Sequence, residues 1–283
     1  MRTGQSKTVS ESVHQATRTR RETVAFRIAN SCLHELAETI PSMGGTKIGA
    51  LLREAARNAP SNTAIVECGC WLGAGTAQLA LGIREREDTL NVQLHTYDRW
   101  QADKSEVEKA AKRGCHLSIG EDTLPRVRQT LSEFRVPIHF HKAELMEAVW
   151  ADGPISVFVD DACKTPLLFC QAIETFAPHW VPGQTIIVLM DFNFWKKTGS
   201  RKHECQKRFV ECFGCAFERI NSRVAVFRYV KQTDFMPWLN ATRRAPSERF
   251  ERAMYYIAKV ARRSKAGLNN WIGQSAAPSS RPK

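Results

Sequence analysis

The stretch Val66-Glu67-Cys68-Gly69-Cys70-Trp71-Leu72-Gly73-Ala74-Gly75-Thr76 sets an acid, three glycines and a hydroxyl between an apolar run and a helical pattern. Glycines in a strand-to-helix turn let the backbone approach a ligand closely, and the first turn of the following helix offers it free N–H groups. A dinucleotide site expects G-x-G-x-x-G, whereas the spacing here is G-x-x-x-G-x-G after Glu67, which suits pyrophosphate poorly. Asp98 closes the next apolar run, where a carboxylate accepts hydrogen bonds from both hydroxyls of a ribose or caps a following helix. Two more apolar runs end in acids, Asp160-Asp161 and Asp191. Carboxylates on one rim of a sheet can share a hard cation such as magnesium, which would lower the pKa of a substrate hydroxyl beside it; the alternative is that they cap the next loop or helix. Phe192, Phe194, Trp195 and Trp100 adjoin these acids, as acceptor-pocket walls or as ordinary core. His141, His179 and His203 titrate near neutrality but sit in no motif, so a structural role is expected for each.

The elements that must position these residues alternate along the chain. Val24 to Ile40 and Ile48 to Ala55 have helical spacing, broken by Pro41 and Gly44-Gly45. Strands are expected at Ala64 to Cys68, Val92 to Tyr97, Pro137 to His141, Ile155 to Val159 and Thr185 to Met190, with helices between them through Ala77 to Leu81, Leu124 to Leu131 and Leu167 to Phe176. Wholly apolar runs such as Ile155 to Val159 are expected to be buried on both faces, as in a parallel sheet. A helix from His203 to Phe213 precedes a hairpin that turns at Asn221-Ser222. The order predicts a doubly wound, mostly parallel α/β sheet with an antiparallel edge, whose ligands bind beyond the carboxyl ends of the strands. Expected boundaries are a polar, mobile start over 1–22, a helical lead-in over 23–60, the sheet domain over 61–231, a basic helical extension over 232–273 and a loose Ser/Pro-rich tail over 274–283.

At 283 residues, 43% hydrophobic and 25% charged, the chain can bury a large core. It has no run of eighteen apolar residues and no basic-then-apolar leader, which excludes a membrane span as its organising feature and points to the cytoplasm. Nine cysteines, including Cys32, Cys68, Cys70 and Cys170 in apolar segments, read as reduced core thiols; Cys205, Cys212, Cys215 and His203 lack the second ligand pair that a zinc site needs. The net charge of +12 gathers at the ends, at Arg18, Arg20, Arg21 and Arg27 and again from Arg243 to Lys265 on a helix expected over 247–264. Such clusters mark nucleic acid, an anionic surface, an acidic substrate or a solvated face; a homo-oligomer is compatible with them.

The Glu67 to Thr76 turn closely resembles the first motif of class I S-adenosylmethionine-dependent methyltransferases. From about 41 to 230 the chain resembles the macrocin O-methyltransferase group, a COMT-like branch, in the lead-in Met43-Gly44-Gly45-Thr46, in that turn and in the strand-end acids Asp98, Asp160 and Asp191. The resemblance implies a Rossmann-like fold with a seven-stranded sheet and a methyltransferase (EC 2.1.1.-) that methylates a hydroxyl of a small molecule or saccharide. It implies that Glu67, Gly69, Gly73, Gly75 and Thr76 hold the methionine part of the cofactor, that Asp98 holds the ribose and that Glu144 reads the adenine. It further implies that Asp160, Asp161 and Asp191 face the acceptor, with Asp160 also near the cofactor and Asp160 and Asp191 as ligands of Mg2+. The group tends to carry D-G-D after the fourth strand and paired acids after the fifth; here the residues are Asp160-Asp161-Ala162 and Asp191-Phe192-Asn193. That leaves open which of Asp160 and Asp161 would ligate and sets Asn193 where a carboxylate is usual. Two other readings stand beside it: methylation of RNA or protein through the basic ends, although no RNA-recognition motif is visible, and a non-catalytic or hydroxylase-like member of the fold that binds the cofactor or another ligand.

Overall fold

A computed structural model describes residues 31–86, 91–221 and 225–244. The expected polar start, the helix over 247–264 and the tail from Gln274 lie outside the described residues, as do most of the basic positions at both ends. Residues 31–39 form helix α1, and the break at Pro41 to Gly45 leads into α2 (Thr46–Arg57). The alternation follows as β1 (Thr63–Cys68), α3 (Ala74–Arg84), β2 (Val92–Asp98), α4 (Lys104–Ala111), α5 (Leu124–Ser132), β3 (Ile138–Lys142), β4 (Ile155–Asp160), α6 (Pro166–Phe176) and β5 (Ile186–Leu189). The last third carries α7 (Phe194–Thr198), α8 (Cys205–Cys212), β6 (Phe217–Asn221), β7 (Val226–Tyr229) and α9 (Met236–Arg244).

The described strands form one seven-stranded sheet in the order β3-β2-β1-β4-β5-β7-β6. The first five are parallel, and β7 runs antiparallel to both β5 and β6. This is the doubly wound architecture with an antiparallel hairpin that the sequence predicts. The chain moves outward from β1 to β3 and then returns to lay β4 on the other side of β1. At that reversal the helices that follow β1 and β4, α3 and α6, cover opposite faces of the sheet, which opens a crevice at the carboxyl ends.

Every residue of β1 and β4 is buried, as their apolar composition requires. Successive side chains point to opposite faces. Val66, Cys68 and Phe158 join Phe169, Phe176, Trp180 and Phe209 in one core, while Ile65, Val157 and Val159 join Leu79, Leu81, Leu94 and Leu131 in the other. Helices α2 and α3 pack closely because Gly82 has no side chain: a Cβ there would overlap the Arg53 carbonyl oxygen and lie 2.8 Å from the Ala56 Cβ. On the other face Arg243 of α9 pairs with Glu174 of α6. No helix among the described residues is long and apolar enough to cross a membrane.

Candidate active site

The glycine-rich turn leaves β1 at the reversal point. Gly69 has φ +96°, and a Cβ on it would lie 3.0 Å from the Asp161 carbonyl carbon and 3.1 Å from the Ala162 nitrogen. Only a glycine lets the loops after β1 and β4 touch there. Trp71 follows with φ +50°, which costs a non-glycine residue roughly 1–2 kcal/mol. Asp98, at the end of β2, offsets that strain: its Oδ2 accepts from the Cys70 N–H (2.9 Å) and the Trp71 N–H (2.8 Å), and its Oδ1 accepts from the Trp100 N–H (2.8 Å). A carboxylate has about four acceptor positions, so the three backbone donors leave about one of them free at Asp98.

Glu67 is 3% exposed on the face of β1 that meets α3. Its Oε2 accepts from the Thr76 hydroxyl (2.5 Å) and the Thr96 hydroxyl (3.2 Å), and Gly75 lies so close that a Cβ there would overlap Oε1. Burial pushes the Glu67 carboxyl up to about 8, against the lowering effect of the two hydroxyls, so the neutral form predominates at pH 7. Glu67 and Thr76 thus fasten α3 to the sheet, with Gly73 (φ +90°) turning the chain between them.

Two cavities meet over Gly69. One, of ≈ 340 Å³, lies between the lead-in and the glycine turn, with Glu67, Gly75, Thr46, Cys70, Val159 and Met190 in its wall. The other, of ≈ 390 Å³, is bordered by charged side chains: Asp98, Arg99, Glu106, Lys109, Glu144 and Lys164. Met43, Gly69, Trp71 and Asp161 border both. Glu144 stands exposed ahead of a 3₁₀ turn, Leu145–Glu147, beside this second cavity.

The two aspartates after β4 part company. Asp160, expected at the acceptor and at a metal, is fully buried beneath the sheet: Oδ1 accepts from the backbone of Ala162 (3.2 Å) and Cys163 (2.9 Å), and Oδ2 from the Gln206 amide on α8 (2.8 Å). It is a structural fastening between β4 and α8, and burial raises its pKa in spite of those bonds. Asp161 turns into the crevice, where burial pushes it up to about 7 against the pull of Lys164, with Asp191 and Asp160 adding to the rise. Lys164 donates to the Asp161 carbonyl (3.2 Å) and lies 3.4 Å from Asp191 Oδ2. Burial works against its ammonium, yet Asp191 and Asp161 hold its pKa above the ordinary lysine value. Asp191 Oδ2 is buried and accepts no hydrogen bond.

A magnesium ion does not fit this donor set. Both oxygens of Asp160 are committed, the charge of Asp191 faces Lys164, and Asn193 stands exposed at the start of α7. Among the described residues no cluster of three His, Cys, Asp or Glu side chains could hold a metal. Cys205 is buried while Cys212 and Cys215 are exposed, and Cys32, expected near the core, is exposed too.

Of the aromatic residues considered as pocket walls, Trp100 (1% exposed) and Phe192 (8%) are core; Phe194 and Trp195 lie on α7, and none of the four borders the two cavities. Of the three histidines, His141 stacks on Tyr97, His203 meets the Thr198 hydroxyl at 2.7 Å and His179 packs near Trp150, and none borders the two cavities. Sequence reasoning missed Lys164, whose one signal was a cation three residues after a strand-end acid, and the α4 face with Glu106 and Lys109.

No protein-family model matches the sequence, and no curated protein matches it. Solved structures similar to the chain include the SAH-bound methyltransferase PaMTH1 of Podospora anserina, 11% identical over 76% of this chain and 96% of that one, with a TM-score of 0.47. CalS11, a TDP-rhamnose 3'-O-methyltransferase of calicheamicin biosynthesis, is 13% identical over 74% of this chain and 94% of that one, with a TM-score of 0.43. Cofactor-bound Rv0187 from MTB is 16% identical over 69% and 79%, with a TM-score of 0.40. At such identities and scores no role passes from these proteins to this chain.

Proposed function

We propose that residues 61–231, with the helical lead-in, form an S-adenosylmethionine-dependent O-methyltransferase acting on a hydroxyl of a small, polar acceptor such as a saccharide. The observation that carries this reading is the contact of Gly69 with the loop after β4, where the cavity at Asp98 and Glu144 meets the cavity at Glu67 and Gly75. A ligand with a nucleoside at one end and an amino acid at the other suits two such chambers joined at a glycine. The motif resemblance of Glu67 to Thr76 selects S-adenosylmethionine among ligands of that shape.

In this reading the adenosine lies by Asp98 and Glu144, with the free acceptor position of Asp98 taking one ribose hydroxyl. The amino-acid end crosses Gly69 toward Gly75 and the start of α3, where helix N–H groups favour a carboxylate. The methyl group then faces Asp161 and Lys164, whose ammonium lies 3.4 Å from Asp191. The acceptor oxygen attacks it in line; the S–CH3 bond breaks as the O–CH3 bond forms, the sulfonium becomes a neutral thioether, and the hydroxyl proton passes to the Asp161 carboxylate and on to water. Catalysis of this kind draws chiefly on positioning and on fixed charge.

Calorimetric titration of the purified chain with S-adenosylmethionine and S-adenosylhomocysteine tests the proposal. One-to-one binding in the micromolar range is expected, weakened by Glu144→Ala. A folded protein that binds neither compound refutes it.

A further inference from the structure

Asp161 and Asp191 end two adjacent parallel strands on the same rim, and buried carboxylates so placed require a counter-charge. Their cation is supplied by the chain. Lys164 leaves the loop after β4, donates to the Asp161 carbonyl at 3.2 Å and sets its ammonium 3.4 Å from the buried Oδ2 of Asp191, which has no hydrogen-bond donor. Asp160, the other acid within reach by sequence, is held away by the Ala162 and Cys163 amides and by Gln206.

We propose that Lys164 occupies the place that a divalent cation would take between the two strand-end aspartates, so that the site handles its acceptor oxygen without a metal. The ammonium offers three donors on a compact point charge; one goes to the Asp161 carbonyl and one faces the Asp191 carboxylate, and the third is directed to the acceptor oxygen as negative charge develops on it. The lysine remains protonated throughout and acts as an electrostatic clamp, not as the group that removes the proton. This role rests on the methyl-transfer reading; the filling of the cation position does not.

The test uses the full chain and Mn2+ alone, followed by the electron paramagnetic resonance signal of the free ion, with S-adenosylhomocysteine binding measured separately. The wild type and Lys164→Arg are expected to take up no Mn2+ to millimolar concentration. Lys164→Met is expected to gain a site at least tenfold tighter than any in the wild type, and Lys164→Met/Asp191→Asn to lose it again. Stoichiometric uptake by the wild type that disappears in Asp191→Asn overturns the proposal. So does failure of a cooperatively unfolding Lys164→Met protein to gain a site. Loss of S-adenosylhomocysteine binding throughout would sink the methyltransferase reading while leaving the Mn2+ result to stand on its own.

Discussion

Replacing Asp98 separates two roles that a strand-end carboxylate can have. If it only reads a ribose, its loss weakens cofactor binding and leaves the empty protein as stable as before. The geometry demands more: Asp98→Ala strips the backbone N–H groups of Cys70, Trp71 and Trp100 of their acceptor and leaves two residues in the left-handed region, Trp71 and Trp100, without the clamp that holds them. Hydrogen bonds to a charged group contribute about 1.5–3 kcal/mol each. Asp98 is only half-buried and the three bonds share one carboxylate, so the sum must be discounted to roughly 3–5 kcal/mol. For a domain of this size that corresponds to a fall in Tm of about 10 °C. Asp98→Asn should cost less than Ala, because the amide oxygen can still accept from Cys70 and Trp71 while the amide nitrogen faces Trp100 N–H. Urea and thermal unfolding of the ligand-free proteins, read by circular dichroism, give the comparison. An unchanged Tm in ligand-free Asp98→Ala would refute the clamp, whatever happened to cofactor affinity.

Gly82→Ala should destabilise the protein by about 2–3 kcal/mol, since its methyl group must displace the Arg53 carbonyl or the Ala56 methyl where α2 crosses α3; urea unfolding measures it. His95, 2% exposed, is pushed down to about 4 by burial and by His139 and His141 on the neighbouring strand, with Asp152 opposing. The unfolded chain therefore binds a proton between pH 6.5 and 4 that the folded chain refuses, and stability falls by about 2–3 kcal/mol as pH drops through that window. Glu67, raised to about 8, acts in the opposite sense, since its share of stability is full below pH 4.5 and declines as pH rises toward 8. The histidine contribution is therefore best read as the difference between wild type and His95→Gln at pH 7 and pH 5; a His95 resonance that titrates near 6.5 by NMR would contradict it.

The parts of the fold that were legible in the sequence are those whose burial is written in composition. β1 and β4 are apolar on both faces because helices cover both, and Leu124, Val127 and Leu131 mark the inner side of α5 by their spacing. The hairpin was legible as a pair, but not the fact that β7 inserts beside β5 and leaves β6 at the edge. Burial decides that order: Val226, Phe227 and Tyr229 are buried, while Glu218, Arg219 and Ile220 are exposed, and a charged edge strand resists further pairing. The clamp role of Asp98 was illegible for another reason. Its partners are main-chain N–H groups, which every residue carries, so no side-chain pattern announces them.

Asp160-Asp161 shows what adjacency in a strand can and cannot do. Neighbouring side chains leave a strand on opposite faces, so two consecutive acids at its end cannot both serve one crevice unless the backbone turns sharply between them. Here Asp160 keeps the direction of Phe158 and Ser156 and descends to Gln206 on α8, whereas Asp161 continues the direction of Val159 toward the lead-in and Gly69. The doublet thus supplies one carboxylate to the crevice and one to the fold. With Asp191 beside Lys164 the rim carries at most two negative charges, and a lysine one turn beyond the strand suffices to offset one of them while a bound sulfonium would oppose the other. A divalent ion added to Lys164 and a sulfonium would instead leave the rim with a net positive charge of two, which two aspartates in a half-buried site do not compensate.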